Sequence, residues 1–106
     1  LLNAVGATSE YSALVVDSSP SRISHLGCPE QFDPVNHLPA DCSRLQLVIG
    51  ERDRVVWPAE MEELMIAVKD RGGRVVRRLD YAHPFQDATP GIHRRRLEEV
   101  ADFLSR

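Results

Sequence analysis

Asp53 and His83 stand 30 positions apart, and each lies just past a short apolar run. Leu45-Gln46-Leu47-Val48-Ile49 precedes the acid through a Gly50-Glu51-Arg52 turn; Val75, Val76 and Leu79 precede the histidine. A buried carboxylate beside an imidazole fixes its tautomer and stabilises the imidazolium formed when the ring takes a proton. Such a pair makes a general base, useful when a hydroxyl or thiol nucleophile stands on the other side of the ring. Each residue alone has a plainer use. An Asp after a strand commonly forms a turn or caps a helix, and a loop histidine next to a proline is commonly structural. The pairing gives the chemical reading its weight, so the elements that would bring the two together decide the matter.

Those elements read as alternating strand and helix. Ala13-Leu14-Val15-Val16 is a continuous apolar run of the kind buried on both faces of a parallel sheet, and predicts a strand over 13–17. Strands over 45–49 and 74–79 follow. Between these two, Met61, Leu64, Met65 and Val68 fall at i, i+3, i+4 and i+7 and predict a helix near 59–71, one stripe facing the sheet. Pro58 marks its entry, and Gly72-Gly73 supplies the left-handed residue that often ends a helix. A last helix over about 91–105 carries Leu97, Val100, Ala101 and Leu104 as its stripe, with Phe103 beside it. Leu1 to Thr8 has the composition of two closing helical turns. The fold class is therefore α/β, with three parallel strands in sequential order flanked by helices. Asp53 and His83 then share the carboxyl-terminal rim, where open α/β sheets bind ligands.

Arg74, Arg77 and Arg78 in the third strand suit an edge defended against further pairing. The first strand is too apolar for an open edge. It is expected to be central, to associate with a second copy through the 13–17 edge, or to be covered by the 21–44 segment. That segment carries Pro29, Pro34 and Pro39, Gly27 and both cysteines, Cys28 and Cys42. Asp33 and Pro34 there suit the cap and first position of a short helical turn.

Composition excludes much. The chain has 106 residues, room for one small domain, with 42% hydrophobic and 27% charged residues. A net charge of −3 gives no reason to expect a nucleic-acid partner, and no apolar run approaches the roughly 20 residues that span a bilayer. No basic-then-apolar leader opens the chain, so residence in the cytoplasm is the expectation. Two cysteines could pair but make no metal motif, and His25, His37 and His93 lack ligand spacing. No cofactor or metal is expected. Arg94-Arg95-Arg96 reads as a solvated helix face, and Trp57 as packing under the helix that follows it.

Leu47-Val48-Ile49-Gly50-Glu51-Arg52-Asp53-Arg54-Val55-Val56 resembles the acid-bearing segment of the α/β-hydrolases, hydrophobics then Gly-x-x-Asp-x-x-Val. Ala82-His83-Pro84-Phe85 resembles that family's His-Gly-Phe, with Pro84 in place of the glycine. Phe32-Asp33-Pro34-Val35-Asn36-His37-Leu38 is similar to the segment before the acid strand in prolyl-oligopeptidase-like members. Acid then histidine, with the nucleophile earlier, is also that family's chain order. The resemblance covers nearly the whole chain and is strongest over 45–85.

The resemblance implies that residues 1–106 form the C-terminal half of an α/β-hydrolase sheet, a single partial domain whose nucleophile-bearing half is absent. No Gly-x-Ser-x-Gly occurs: Gly6-Ala7-Thr8-Ser9-Glu10 lacks the second glycine. It implies a serine hydrolase of the esterase or peptidase class, acting on a small ester or peptide substrate. Asp53 and His83 would be its catalytic acid and histidine. The link of about 26 residues from Asp17 to Leu45 is too short for a large helical cap, which favours cap-less, dienelactone-hydrolase-like or prolyl-oligopeptidase-like members. The alternative is a non-catalytic α/β interaction module. A flavodoxin-like nucleotide fold is disfavoured because no glycine-rich phosphate loop follows any strand.

Overall fold

A computed structural model describes residues 11–106. The helical turns expected at Leu1–Thr8 and the Gly6–Glu10 stretch lie outside the described residues. Three parallel strands, β1 (Leu14–Asp17), β2 (Leu45–Gly50) and β3 (Arg74–Arg78), form one sheet in the order β1-β2-β3. Helix α1 (Pro58–Asp70) joins β2 to β3, and α2 (Pro90–Leu104) closes the chain. This is the α/β architecture expected, with the strands in the expected order.

The two faces of the sheet follow from register. Leu14 pairs with Leu45, Val16 with Leu47, and Leu47 with Val75, so these side chains share one face. They pack there with Ile49, Cys42 and the α1 residues Met61, Leu64 and Val68 as one apolar core. The stripe read from the α1 sequence is therefore the buried one. Asp17, Val48 and Val76 pair along the opposite face. Arg96 of α2 bonds Asp17, which puts the last helix on that side.

Here the structure corrects the stripe expected on α2. Leu97 is 71% exposed and Leu104 and Ala101 are exposed, whereas Arg96 and Phe103 are buried and Val100 half-buried. The helix is rotated so that Ile92, Arg96, Val100 and Phe103 look inward. A buried salt-bridged arginine outcompetes two leucines for the inner face because three acceptors wait for it there, as described below. Trp57 is also not packed under α1; it is half exposed, with the Arg54 guanidinium 5.1 Å from its ring centroid.

Residues 21–44 add no strand to β1 among the described residues. They fold into three short 3-10 turns, Ser24–Leu26, Glu30–Phe32 and Pro34–His37, and are pinned to α1. Ser21 inserts into one turn of that helix: its amide donates to the Glu60 carbonyl at 2.8 Å and its hydroxyl accepts the Leu64 amide at 2.9 Å. Asp33 stands at the entry to the third turn, yet its side chain does not cap it. The carboxylate instead accepts the amides of Ile23 and Ser24 at 2.7 and 2.8 Å, with the Ser24 hydroxyl and Arg22. It holds two separated turns together. Cys28 is exposed and Cys42 buried, both as free thiols. Among the described residues no strand pairs with the outer edge of β1.

Two glycines are fixed by geometry. Gly72 ends α1 with φ of 81°, where an L side chain is strained. Gly50 ends β2 with a Cβ position only 2.5 Å from the Tyr81 carbonyl oxygen. Any side chain there would push the histidine-bearing loop off the strand. Gly50→Ala is therefore expected to destabilise by about 1–3 kcal/mol, the usual cost of overpacking. Gly91→Ala, with open space around the added methyl at the start of α2, is expected to be neutral or stabilising by up to about 1 kcal/mol. Urea midpoints of the two variants test the pair.

Candidate active site

The carboxyl ends of β2 and β3 leave the sheet side by side, since Gly50 pairs with Arg78 at the last register position. The chain beyond each strand stays zipped for one more step. Glu51 N–H donates to the Arg78 carbonyl at 3.0 Å, and Arg52 N–H to the Tyr81 carbonyl at 2.9 Å. The acid loop and the histidine loop are thus locked to one another by backbone before any side chain is considered. A turn closed by the Asp53 amide on the Gly50 carbonyl at 3.2 Å then points Asp53 back toward its neighbour.

His83 Nδ1 lies 3.0 Å from Asp53 Oδ2. The carboxylate is fully buried and the imidazole side chain is 17% exposed. The other carboxylate oxygen, Oδ1, accepts the amides of Val55 at 2.9 Å and Val56 at 2.8 Å. Burial by itself would push the Asp53 carboxyl up. The Val56 amide, His83 and the Val55 amide more than offset it and hold the group below its ordinary range. Asp53 is therefore an ionised acceptor, and an ionised acceptor requires the proton of neutral His83 to sit on Nδ1. That leaves a lone pair on Nε2, on the far side of the ring. Phe85 meets the imidazole edge-on, with centroids 4.5 Å apart.

Both candidate residues are thus brought together at hydrogen-bonding distance. Their neighbours are occupied elsewhere. Glu51 pairs with Arg77 at 2.6 Å, and Arg77 also reaches Glu62 at 3.0 Å. His37 Nε2 donates to the Gln31 carbonyl and His93 Nε2 to the Asp87 carbonyl, while His25 lies 4.0 Å from Glu60. Among the described residues no cluster of His, Cys, Asp and Glu is arranged to hold a metal ion, and no helix is long and apolar enough to cross a membrane.

A second cluster on the same rim escaped the sequence reading. Arg96, expected on a solvated face, is 8% exposed. Its guanidinium donates to Asp17 Oδ2 and to Asp87 Oδ2, each at 2.8 Å, and to the Ala82 carbonyl, and it lies 4.2 Å from the centroid of the buried Tyr81 ring. Asp87 Oδ1 in turn accepts the Ala82 amide at 3.2 Å. The sequence did carry a signal. Ile92, Val100 and Phe103 lie at i−4, i+4 and i+7 from Arg96, which puts the arginine in the middle of an apolar stripe.

The low Asp53 pKa makes a testable link to stability. An unfolded aspartate titrates near pH 4, and the folded value lies lower. The stability that Asp53 contributes is therefore complete above about pH 4 and is lost as pH falls through the folded value. Asn at this position has no such loss. The stability gap between wild type and Asp53→Asn is expected to narrow steadily below about pH 4, as read from urea unfolding between pH 3 and 7; a gap independent of pH would contradict an ionised, hydrogen-bonded Asp53. The chain matches no protein-family model, no curated protein and no solved structure.

Proposed function

We propose that this chain supplies the acid and the histidine of a Ser-Asp-His hydrolase acting on carboxylic esters or peptide bonds. The observation that carries the reading is the contact of His83 Nδ1 with the buried, ionised Asp53 at 3.0 Å. In this arrangement His83 Nε2 takes the proton of a nucleophilic hydroxyl as it attacks the substrate carbonyl, then returns it to the leaving group. Asp53 keeps the proton on Nδ1 and stabilises the imidazolium during the step. Among the described residues no hydroxyl or thiol is hydrogen-bonded to His83. The reading accordingly assigns the nucleophile and the oxyanion-hole donors to sequence upstream of this chain. It also has the remainder of the sheet add to the outer edge of β1, whose Leu14 and Val16 are buried and whose backbone is unpaired on that side among the described residues. The fragment alone is then inactive. The motif resemblance around Asp53 and His83 is a second support, since it places the same two residues in the same roles.

The test is covalent labelling. The full-length protein that contains this chain is expected to react with a fluorophosphonate at one serine. His83→Ala is expected to abolish labelling, and Asp53→Asn to slow it by on the order of 10³–10⁴-fold, the scale seen when a triad acid loses its charge. Absence of labelling in the wild type would leave the non-catalytic interaction module as the better reading, and labelling unaffected by His83→Ala would remove His83 from the machinery.

A further inference from the structure

The histidine loop, residues 79–89, runs from β3 to α2, and its first tie is the Tyr81 carbonyl on the Arg52 amide. That tie fixes one end of the loop. The backbone just before His83 is held by Arg96. Its guanidinium grips the Ala82 carbonyl directly, and through Asp87 it grips the Ala82 amide as well. Asp87 also closes the turn, since the amides of Gln86 and Asp87 donate to the His83 carbonyl at 2.8 and 3.2 Å. The residue before His83 thus has both its backbone groups engaged by one ion-pair network.

The network has a fixed anchor. Arg96 Nη1 donates to Asp17 Oδ2, and Asp17 is the last residue of β1. Its other oxygen accepts the hydroxyl of Ser18 at 2.7 Å, and Ser18 is itself buried with φ of 58°. Because β2 lies between β1 and β3, the Asp17–Arg96–Ala82 link spans the rim across the strand that carries Asp53. Such a brace sets how far the histidine loop can move from the acid loop. The planar guanidinium reaches Asp17 from Nη1 and both Asp87 and the Ala82 carbonyl from Nη2; an ammonium has three donors too, but they radiate from a single nitrogen without the fork.

We infer that Arg96 is a positioning residue for His83, holding the imidazole against Asp53 through Asp87 and the Ala82 carbonyl with Asp17 as its anchor. The consequence for turnover rests on the hydrolase reading of Asp53 and His83, while the geometric claim does not. Arg96→Lys keeps a cation between Asp17 and Asp87 but loses the fork, and Asp17→Asn keeps Arg96 but removes the charge of its anchor. Two readouts in the full-length protein separate the outcomes. One is the proton nuclear magnetic resonance signal of the hydrogen on His83 Nδ1, shifted far downfield by a carboxylate partner; the other is the rate of fluorophosphonate labelling.

Both variants are expected to retain a cooperative melt, to lose or broaden the Nδ1 signal, and to label roughly 100-fold more slowly, the penalty of about an ångström of misplacement. Arg94→Ala, on the exposed face of α2, is expected to change neither readout. If the melts drop while the Nδ1 signal and labelling stay as in the wild type, Arg96 is a stabilising residue only and the inference is overturned. If Arg96→Lys fails to fold, Asp17→Asn decides by the same two readouts. If the Nδ1 signal responds as expected but the wild type is never labelled, the positioning role stands and the hydrolase reading is what falls.

Discussion

An ionised carboxylate with no exposed surface costs several kcal/mol unless donors meet its lone pairs, and at Asp53 three donors do so. Two are the amides of Val55 and Val56, which exist as donors only because the chain turns back on itself directly after β2. The third is His83, which comes from the next strand. Meeting that requirement constrains everything on this rim. The strands must be parallel and in register so that both loops leave on the same side. The residue at the end of β2 must be glycine, because the Tyr81 carbonyl occupies the space a side chain would need. The histidine loop must be braced, because a loop free to swing would leave a buried charge short of a partner.

Buried acids recur in this fold, and comparing them separates architecture from chemistry. Asp33 is as inaccessible as Asp53 and is likewise held below its ordinary pKa, burial again being outweighed by the Ile23 amide and by Ser24 and Arg22. Its partners are two amides, a hydroxyl and a guanidinium, none of which exchanges a proton near neutral pH. Asp33 therefore clips two loop turns together. Asp17 and Asp87 are the ends of an arginine bridge, a structural use on the same logic. Asp53 alone among these four is bonded to an imidazole, the group whose ordinary pKa lies close to neutrality. Asp53 differs from Asp33 by the identity of one partner, not by any special burial.

What the sequence made legible follows the range of the interactions involved. The strands and α1 are set by apolar runs and by periodicity, which act over a few residues, and they appear where those patterns put them. The Asp53–His83 pairing was also legible, since parallel topology carries two post-strand residues to one rim without any knowledge of side-chain contacts. The inner face of α2 was misread because Leu97, Val100, Ala101 and Leu104 fall at i, i+3, i+4 and i+7 and make a stripe that leaves Arg96 out. The deciding contact, Arg96 with Asp17, joins residues 79 positions apart. No local window contains it. The same is true of Ser21, whose hydroxyl meets the Leu64 amide 43 positions away and turns a long irregular segment into a strap on α1. Asp33 looked like a cap by position and proved to be a clip by partner, which only the folded loop reveals.

The direction in which an imidazole is held matters as much as its proximity to an acid. A histidine bonded to a carboxylate through Nε2 would present Nδ1, the nitrogen crowded by its own Cβ and backbone, to any third group. Here the bond runs through Nδ1, so the nitrogen left without a partner among the described residues is the one at the tip of the ring. The carboxylate keeps its proton affinity low by hydrogen bonds on its opposite oxygen, and so it favours charge on the imidazolium without competing for the proton. Phe85 lies against the ring, with centroids 4.5 Å apart, and no hydrogen bond among the described residues occupies the tip. A purely structural Asp–His contact needs none of this directionality, since either nitrogen would satisfy the buried acid equally well. The arrangement is the one of the two that leaves a usable base.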